Sequence, residues 1–118
     1  MNSLGKLGKS GEEQAAAALE SAGMNIIVKN FRSKHGEIDI VALDGETIVF
    51  AEVKTWAVYG MEDLRYSIDS RKKKKIIKTA KFFLSENLQY NKMSIRFDAI
   101  FVSNNSVTHL ESAFMEGV

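Results

Sequence analysis

The chain has 118 residues, of which 45% are hydrophobic, so it can bury the core of one globular domain but is too short for two. Its 16 Lys and Arg residues nearly balance 15 Asp and Glu residues, and the formal net charge of +1 argues against a strongly basic nucleic-acid-binding protein. Cysteine is absent and only His35 and His109 are histidines, so a disulfide framework, a thiolate nucleophile or a zinc site built from these residues is not expected.

The first predicted element is a helix over residues 10–22. Ser10 is a favourable N-cap, and Glu13, three residues later, completes a capping box. The apolar face of this helix consists of Ala15, Ala16, Leu19 and Ala22. Gly23 is a typical C-terminal stop. One turn back along the apolar face lies Glu12, so a carboxylate is expected on the inward-facing side of the helix.

Five strands and a second helix are predicted after the first helix. The strands span residues 25–31, 37–43, 47–54, 95–102 and 107–110, and a turn containing Asn104 and Asn105 joins the last two. The second helix spans residues 70–88, with an apolar face of Ile76, Ile77, Ala80, Phe83, Leu84 and Leu88. The order α-β-β-β-α-β-β predicts a single α/β domain over residues 1–118, with a mixed β-sheet flanked by a helix on each face.

The second and third predicted strands form a hairpin around Asp44 and Gly45. A two-residue loop pairs Asp39 with Phe50, a four-residue loop pairs Asp39 with Glu52, and a three-residue loop separates the two acids. With either even-numbered loop, one face carries Glu37, Asp39, Glu52 and Lys54, together with Val41, Ile48 and Phe50. The other face is apolar and carries Ile38, Ile40, Ala42, Val49, Ala51 and Val53.

The charged hairpin face has the composition of a metal site. Asp39 and Glu52 are direct or diagonal neighbours, roughly 5–8 Å apart at the backbone. Adjacent carboxylates repel each other, and a hard divalent cation such as Mg²⁺ removes that cost. Lys54 can hold or help deprotonate an attacking water, or stabilise charge on a phosphate. The alternative is a solvated face on which Lys54 pairs with Glu37 or Glu52, but helices covering both faces would leave carboxylates that need a partner.

Motifs along nearly the whole chain carry a family resemblance. Asp39 and the later Glu52-Val53-Lys54 match the D…ExK core of the PD-(D/E)xK nuclease superfamily, with Ile38 in place of the usual proline. The longer match consists of Gly8-Lys9-Ser10-Gly11-Glu12, Asn30-Phe31-Arg32, Gly36-Glu37-Ile38-Asp39-Ile40, Phe50-Ala51-Glu52-Val53-Lys54-Thr55, Arg96-Phe97-Asp98 and Ala113-Phe114. The sequence resembles the small bacterial YraN-like family of predicted endonucleases, which is similar to the archaeal Holliday-junction resolvases. The resemblance implies a restriction-endonuclease-like fold.

The resemblance also implies roles for individual residues. Asp39 and Glu52 would bind Mg²⁺ or Mn²⁺, and the main-chain carbonyl of Val53 would join them as a ligand. Lys54 would be the catalytic lysine, and Glu12 would be the acid from the first helix that completes the catalytic set.

Two further residues are expected to support the site. Glu37 belongs to the Gly-Glu-Ile-Asp motif of the family. Trp56 stands where the family usually has an arginine, and it can stack on a base or pack in the core instead. Lys72 also matches the family, at a lysine that opens the second helix, but it is expected to contact DNA and not to support the site.

Half of the 16 basic residues lie in residues 65–81, where Asp69 is the one acid. Dense lysines repel one another unless an anion is near, and a DNA phosphate backbone is the obvious anion. We therefore expect Lys72, Lys73 and Lys75 to contact DNA, although a charge run also fits a solvated helix face. Arg32 is a further candidate phosphate contact or a plain surface residue. The near-neutral total charge then reflects a basic helix start beside an acidic patch.

Three functions remain open from the sequence. The first is a metal-dependent endonuclease acting on DNA, with branched or structured DNA as a candidate substrate. The alternative is a nucleic-acid-binding module with a vestigial nuclease site that acts through a partner, and the third is a protein-interaction domain. No run reaches the roughly 18 apolar residues of a membrane span, and no signal-peptide pattern is present, so we expect a cytoplasmic protein without a membrane partner. Related resolvases act as dimers, which makes a homodimer a candidate assembly.

Overall fold

The structure is a computed structural model that describes residues 3–56, 68–103 and 106–115, with the backbone alone described for residues 3–10 and 56. The helices are α1 (Ser3–Ser21) and α2 (Ser70–Glu86), and a 3₁₀ helix (Leu88–Tyr90) follows α2. The strands are β1 (Asn25–Ser33), β2 (Gly36–Asp44), β3 (Thr47–Trp56), β4 (Ser94–Ser103) and β5 (Ser106–Phe114). This order confirms the predicted α-β-β-β-α-β-β sequence of elements. The turn predicted at Asn104 and Asn105 lies outside the described residues.

The strands form a five-stranded sheet in the order β1-β2-β3-β4-β5. Strands β3 and β4 are parallel, whereas each of the other neighbouring pairs is antiparallel. Helix α2 lies between β3 and β4 in the chain, as a parallel pair requires a crossover connection. The predicted mixed, helix-flanked α/β sheet is confirmed, and the arrangement is consistent with a restriction-endonuclease-like fold.

An apolar cluster covers each face of the sheet. On one face the residues Ala15, Ala16 and Leu19 of α1 pack with Ile40, Ala42, Val49 and Ala51. On the other face the residues Ile76, Ala80 and Phe83 of α2 pack with Val41, Ile48 and Phe50. Because side chains alternate along a strand, Glu52 lies on the same face of β3 as Phe50, toward α2. Among the described helices, none is long and apolar enough to cross a membrane.

Helix α1 is longer than its sequence signals indicate. It begins at Ser3, and Ser10 lies inside it, so the predicted start and capping box at Ser10 are wrong. Leu4 and Leu7 precede Ala15 at multiples of helical spacing in the sequence, so the helical period extends upstream of Ser10. A residue type that favours a cap therefore stands in the interior of the helix.

The apolar residues predicted at the ends of both helices are exposed. Gly23 has a φ of +94°, and the Met24 N–H donates to the Leu19 carbonyl at 3.0 Å, which ends α1 as a Schellman motif. The predicted stop at Gly23 is confirmed, but Ala22 is exposed because the chain has already left the helix. Leu88 lies beyond α2 in the 3₁₀ helix, where it is 66% exposed rather than part of the apolar face.

The hairpin has a two-residue turn, but it lies one residue later in the chain than the predicted turn at Asp44 and Gly45. Asp44 pairs with Thr47, so the turn residues are Gly45 and Glu46. Gly45 has a φ of +62°, and glycine at the first central position is typical of a type II′ turn. Since φ > 0 is accessible to glycine at little cost, Gly45 fixes where the turn begins.

Ile38 lies on the opposite face of the sheet from the one predicted. It packs in the cluster on the α2 face, whereas Ile40 packs on the α1 face. On the neighbouring strand, Phe31 pairs with Ile38 and Lys29 pairs with Ile40, and the intervening Asn30 has a φ of +55°. A positive φ interrupts the extended conformation, so β1 is irregular opposite the point where the side chains of β2 change face.

Candidate functional site

The two predicted metal ligands lie where β2 and β3 cease to pair. Phe50 pairs with Val41, so the predicted register in which Asp39 pairs with Phe50 is wrong. The observed register is the other predicted one, in which Asp39 falls opposite Glu52, although the turn itself has two residues. The pairing runs from the turn to Ile40 and Ala51 and continues no further. One more step in the same register sets Asp39 opposite Glu52. The hydrogen bond between the Asp39 and Glu52 side chains places the two carboxyl groups in contact just beyond the last ladder pair.

The carboxyl group of Asp39 is half-buried and strongly perturbed. Its Oδ2 accepts a hydrogen bond from the main-chain N–H of Val53 at 2.7 Å. Burial, followed by the hydrogen-bonding and charge effects of Glu52, raises the pKa of Asp39 to about 7, although the Val53 N–H and the Lys72 charge act to lower it. Without a cation, this carboxyl group therefore exchanges a proton near neutral pH.

Glu52 is more buried than Asp39, with 5% of its surface exposed. The Nζ of Lys72 lies 3.0 Å from Glu52 Oε2, which makes an ion pair. The same oxygen accepts no well-formed hydrogen bond in the part of the chain that the structure describes. A buried carboxylate oxygen normally has hydrogen-bond partners, so Glu52 Oε2 keeps acceptor capacity that a cation can use.

Helix α2 supplies the ammonium group of this site from its first turn. Asp69 is the N-cap of α2, and its Oδ1 accepts the main-chain N–H of Lys72 at 2.8 Å. This bond lowers the pKa of Asp69, and the charges of Arg71 and Lys54 act in the same direction. Because helical side chains point back toward the N-terminus, the capped turn directs Lys72 toward β3. The DNA contact predicted for Lys72 stays a prediction. The ion pair with Glu52 was not predicted, although the helical phase that Lys72 shares with Ile76 in the first turn of α2 was an available signal.

Lys54 lies on the α2 side of β3, two residues after Glu52, and it is half-buried. Its charge acts on Asp69 at the start of α2. The catalytic role of Lys54 and the ligand role of the Val53 carbonyl stay predictions.

Glu12 lies near the same end of β3 but on the other side of the sheet. It is half-buried on α1, next to Gly11, where an added Cβ would lie 2.5 Å from Thr55 Oγ1. This close packing holds α1 against the residue that follows Lys54. Among residues 3–56, 68–103 and 106–115, no group of three Asp, Glu, His or Cys side chains is placed to hold a metal ion. The structure thus joins Asp39 with Glu52 and does not add Glu12 to them.

The other acid of the hairpin face, Glu37, pairs with a residue of β1. Its Oε2 lies 2.6 Å from Arg32 Nε, and the two side chains are 39% and 76% exposed. Exposed ion pairs contribute little stability, so Arg32 keeps the freedom to contact another anion. In the solvated alternative Lys54 pairs with Glu37 or Glu52, whereas the observed partners are Arg32 and Lys72.

The remaining predicted DNA contacts differ in exposure. Lys73 is half-buried, and its Nζ lies 5.9 Å from the ring centroid of Phe114, a cation–π distance. Lys75 is exposed. The other exposed cations of this helix include Arg71, Lys74 and Lys78. The side chain of Trp56 lies outside the described residues.

A second charged cluster lies between β4 and β5. Arg96 Nε donates to Asp98 Oδ1 at 2.9 Å. Asp98 is fully buried and also contacts His109 Nε2 at 2.7 Å and the Ser112 N–H at 3.0 Å. Burial acts to raise the pKa of Asp98, but the hydrogen bonds from His109, Arg96 and Ser112 lower it below its usual value.

The geometry around Asp98 is that of a structural clamp. Ser112 has a φ of +52°, and the β4–β5 register shifts between Phe97 and Ala99. The Asp98 carboxylate therefore holds an irregular edge strand by its main chain. No sequence pattern linked His109 to Asp98, because the contact depends on the shifted register.

Comparison with known proteins gives a consistent result. A family model described as "Uncharacterised protein family UPF0102" matches residues 11–102. The chain is 44% identical over 107 residues to a UPF0102 protein of Persephonella marina, covering 91% of each protein. It is 43% identical over 122 residues to a UPF0102 protein of Treponema denticola, covering 92% of this chain and 94% of that protein. It is 34% identical over 111 residues to a UPF0102 protein of Ectopseudomonas mendocina, covering 94% and 93%.

Proposed function

The chain belongs to the UPF0102 family, and we propose that it is a metal-dependent endonuclease that hydrolyses phosphodiester bonds in DNA, with branched or structured DNA as its substrate class. The observation that carries the proposal is the buried carboxylate of Glu52, which lies beside the perturbed carboxyl group of Asp39 and has the Lys72 ammonium group 3.0 Å from its Oε2. Perturbed groups that combine burial with a specific charged neighbour are frequent at functional sites. The D…ExK spacing supports membership of the PD-(D/E)xK superfamily.

The donor atoms at the carboxylate pair fit Mg²⁺ or Mn²⁺. Mg²⁺ usually takes one or two protein carboxylates, keeps several waters and binds substrate phosphate oxygens. Two carboxylates, from Asp39 and Glu52, therefore suffice, with the Val53 carbonyl as a further ligand. A bound cation would offset the charge of the scissile phosphate and make a nearby water more acidic.

In the proposed reaction, a water oxygen bonds to phosphorus and one phosphorus–oxygen ester bond breaks. A proton from the water passes to solvent or to the leaving oxygen, so that a phosphate monoester and a free hydroxyl remain. Lys54 donates a hydrogen bond to the attacking water or to the phosphate oxygens as negative charge builds. Glu12 lies on the α1 side of the sheet, away from the carboxylate pair, so this reaction assigns it no contact with the water. Glu37 and Trp56 flank these residues in sequence and support the site.

The exposed side of α2 suits a DNA backbone. Lys75 is exposed, as are Arg71, Lys74 and Lys78 of the same helix, whereas Lys73 is half-buried with its Nζ near Phe114. Arg32 makes an exposed ion pair with Glu37. Phosphate contacts of this type bind DNA without sequence preference and weaken as salt concentration rises. Because Lys72 of the same helix contacts Glu52, a strand bound along α2 would pass close to the carboxylate pair.

The test is cleavage of a supercoiled plasmid and a labelled four-way junction by the purified chain with Mg²⁺ or Mn²⁺. Asp39→Ala, Glu52→Ala and Lys54→Ala should each reduce cleavage by at least about a hundredfold. Glu46→Ala is the matched control, because Glu46 is an exposed acid in the turn of the same hairpin. Cleavage that survives Asp39→Ala would overturn the proposal. If the wild-type chain and all of its variants bind DNA in a salt-dependent way but none cleaves it, the result would favour the nucleic-acid-binding module with a vestigial site.

A further inference from the structure

We propose that Lys72 is the internal counter-ion of the carboxylate pair, and that a divalent cation must displace its ammonium group from Glu52 in order to bind. This inference deepens the proposed function and rests on Asp39 and Glu52 being the metal ligands. It assigns Lys72 a regulatory position within the site in addition to the DNA contact expected from its charge.

The first argument is the position of the ammonium group. Nζ of Lys72 lies 3.0 Å from Oε2 of Glu52, and that oxygen has no well-formed hydrogen bond among the described residues. The oxygen that a metal ion would use is thus already neutralised by an ion pair. The charge of Lys72 also acts on Asp39 and on Glu37, so one ammonium serves all three acids of this face.

The second argument is that binding an ammonium group and a divalent cation to the same oxygen is energetically unfavourable. Two cations within a few ångströms repel each other strongly in a partly buried site, where the effective dielectric constant is far below that of water. Binding of Mg²⁺ or Mn²⁺ to Glu52 therefore requires the Lys72 side chain to move away. Metal affinity should be lower than the carboxylates alone would give.

The third argument is that the lysine can leave while the helix stays in place. Glu52 is enclosed, with 6% of its side chain exposed, but 47% of the Lys72 side chain is exposed. The main chain of Lys72 is held by the Asp69 cap at 2.8 Å, whereas the lysine stem rotates freely about its four carbons. The displaced ammonium then points from the first turn of α2 into the solvent in front of the carboxylates, where a substrate phosphate would lie.

The experiment compares Lys72→Met with Lys74→Met, an exposed lysine of the same helix, and with the charge-conserving Lys72→Arg. Without divalent metal, Lys72→Met should melt at a lower temperature than the wild-type chain, because it leaves a buried carboxylate without its counter-ion. In calorimetric titration with Mn²⁺ alone, Lys72→Met should bind about tenfold more tightly, which corresponds to about 1.4 kcal/mol. Lys74→Met and Lys72→Arg should keep the wild-type Mn²⁺ affinity, and DNA cleavage by Lys72→Met should fall despite the tighter metal binding.

The outcomes separate this inference from the proposed nuclease activity. If Lys72→Met binds Mn²⁺ no more tightly than Lys74→Met, the counter-ion role is wrong, while metal binding and cleavage by the wild-type chain can still stand. Tighter Mn²⁺ binding by Lys72→Met, together with a wild-type chain that cleaves no DNA, would support the counter-ion role and overturn the nuclease proposal. Absence of Mn²⁺ binding in every variant would overturn both.

Discussion

Replacement of Asp39 by asparagine is expected to stabilise the metal-free protein above neutral pH, although it removes a proposed metal ligand. The asparagine Oδ1 can still accept the Val53 N–H that Asp39 Oδ2 accepts at 2.7 Å. Its amide group can in addition donate to Glu52. The substitution therefore removes a negative charge beside Glu52 and keeps the local hydrogen bond. Such a gain in stability at the expense of function is characteristic of functional sites.

The magnitude follows from the raised pKa of Asp39, which moves from 3.8 to about 7. Each pKa unit corresponds to about 1.4 kcal/mol, so a shift of about 3 units sets an upper limit of about 4 kcal/mol. Asp39 is half-buried and titrates together with Glu52, so solvent screening reduces the expected gain to about 2 kcal/mol. For 118 residues, an unfolding entropy of about 0.25 kcal/mol/K converts this free energy into a rise of about 8 °C in melting temperature.

The pH dependence of this gain has a defined sign. A carboxyl group with a raised pKa binds its proton more tightly in the folded state than in the unfolded state, so its favourable contribution is lost as the pH rises. For Asp39 the loss should occur between about pH 4 and pH 7 and be complete above the folded pKa of about 7. The advantage of Asp39→Asn should therefore be absent near pH 4 and reach its full size at about pH 8.

The assay is thermal unfolding followed by circular dichroism, with a chelator present, from about pH 4 to about pH 8.5. Glu46→Gln is the control, because it removes an exposed charge from the same hairpin. Addition of Mn²⁺ should raise the melting temperature of the wild-type chain and leave that of Asp39→Asn nearly unchanged. A metal-free Asp39→Asn protein that melts below the wild-type chain at pH 8 would refute the reasoning. A difference that stays constant across the pH range would refute it equally.

Two stability predictions concern regions outside the carboxylate pair. Asp98→Ala should lower the free energy of unfolding in urea by about 3–5 kcal/mol, because it leaves the partly buried Arg96 without its main partner. Glu111→Ala, which removes an exposed partner of Arg96, should lower it by less than about 0.5 kcal/mol. Similar values for the two variants would contradict a structural role for Asp98. Gly36→Ala should lower the free energy of unfolding by about 1–3 kcal/mol in the same assay. The reason is that Gly36 has a φ of +148° and an added Cβ would lie 3.3 Å from Thr79 Oγ1. Unchanged stability would show that this strain is absent.

The sequence by itself determined the elements, their order and the face that carries the acids. Apolar spacing located both helices and all five strands, because burial on one side imposes a period of 3.6 residues on a helix and of two on a strand. The same period of two placed Asp39 and Glu52 on one face in either even-loop register. These features depend on residues close together in the chain, where a local pattern carries the information.

Only the tertiary structure decided the contacts between elements. The turn at Gly45 selected the register that sets Asp39 opposite Glu52, and the packing of α2 brought Lys72 to Glu52. The contact of His109 with Asp98 required the shifted β4–β5 pairing. Electrostatic partners are set by distances of a few ångströms between residues far apart in sequence, and neither periodicity nor composition encodes such distances. The two acids and the basic helix follow from the sequence, whereas only folding placed the ammonium group of Lys72 3.0 Å from Glu52.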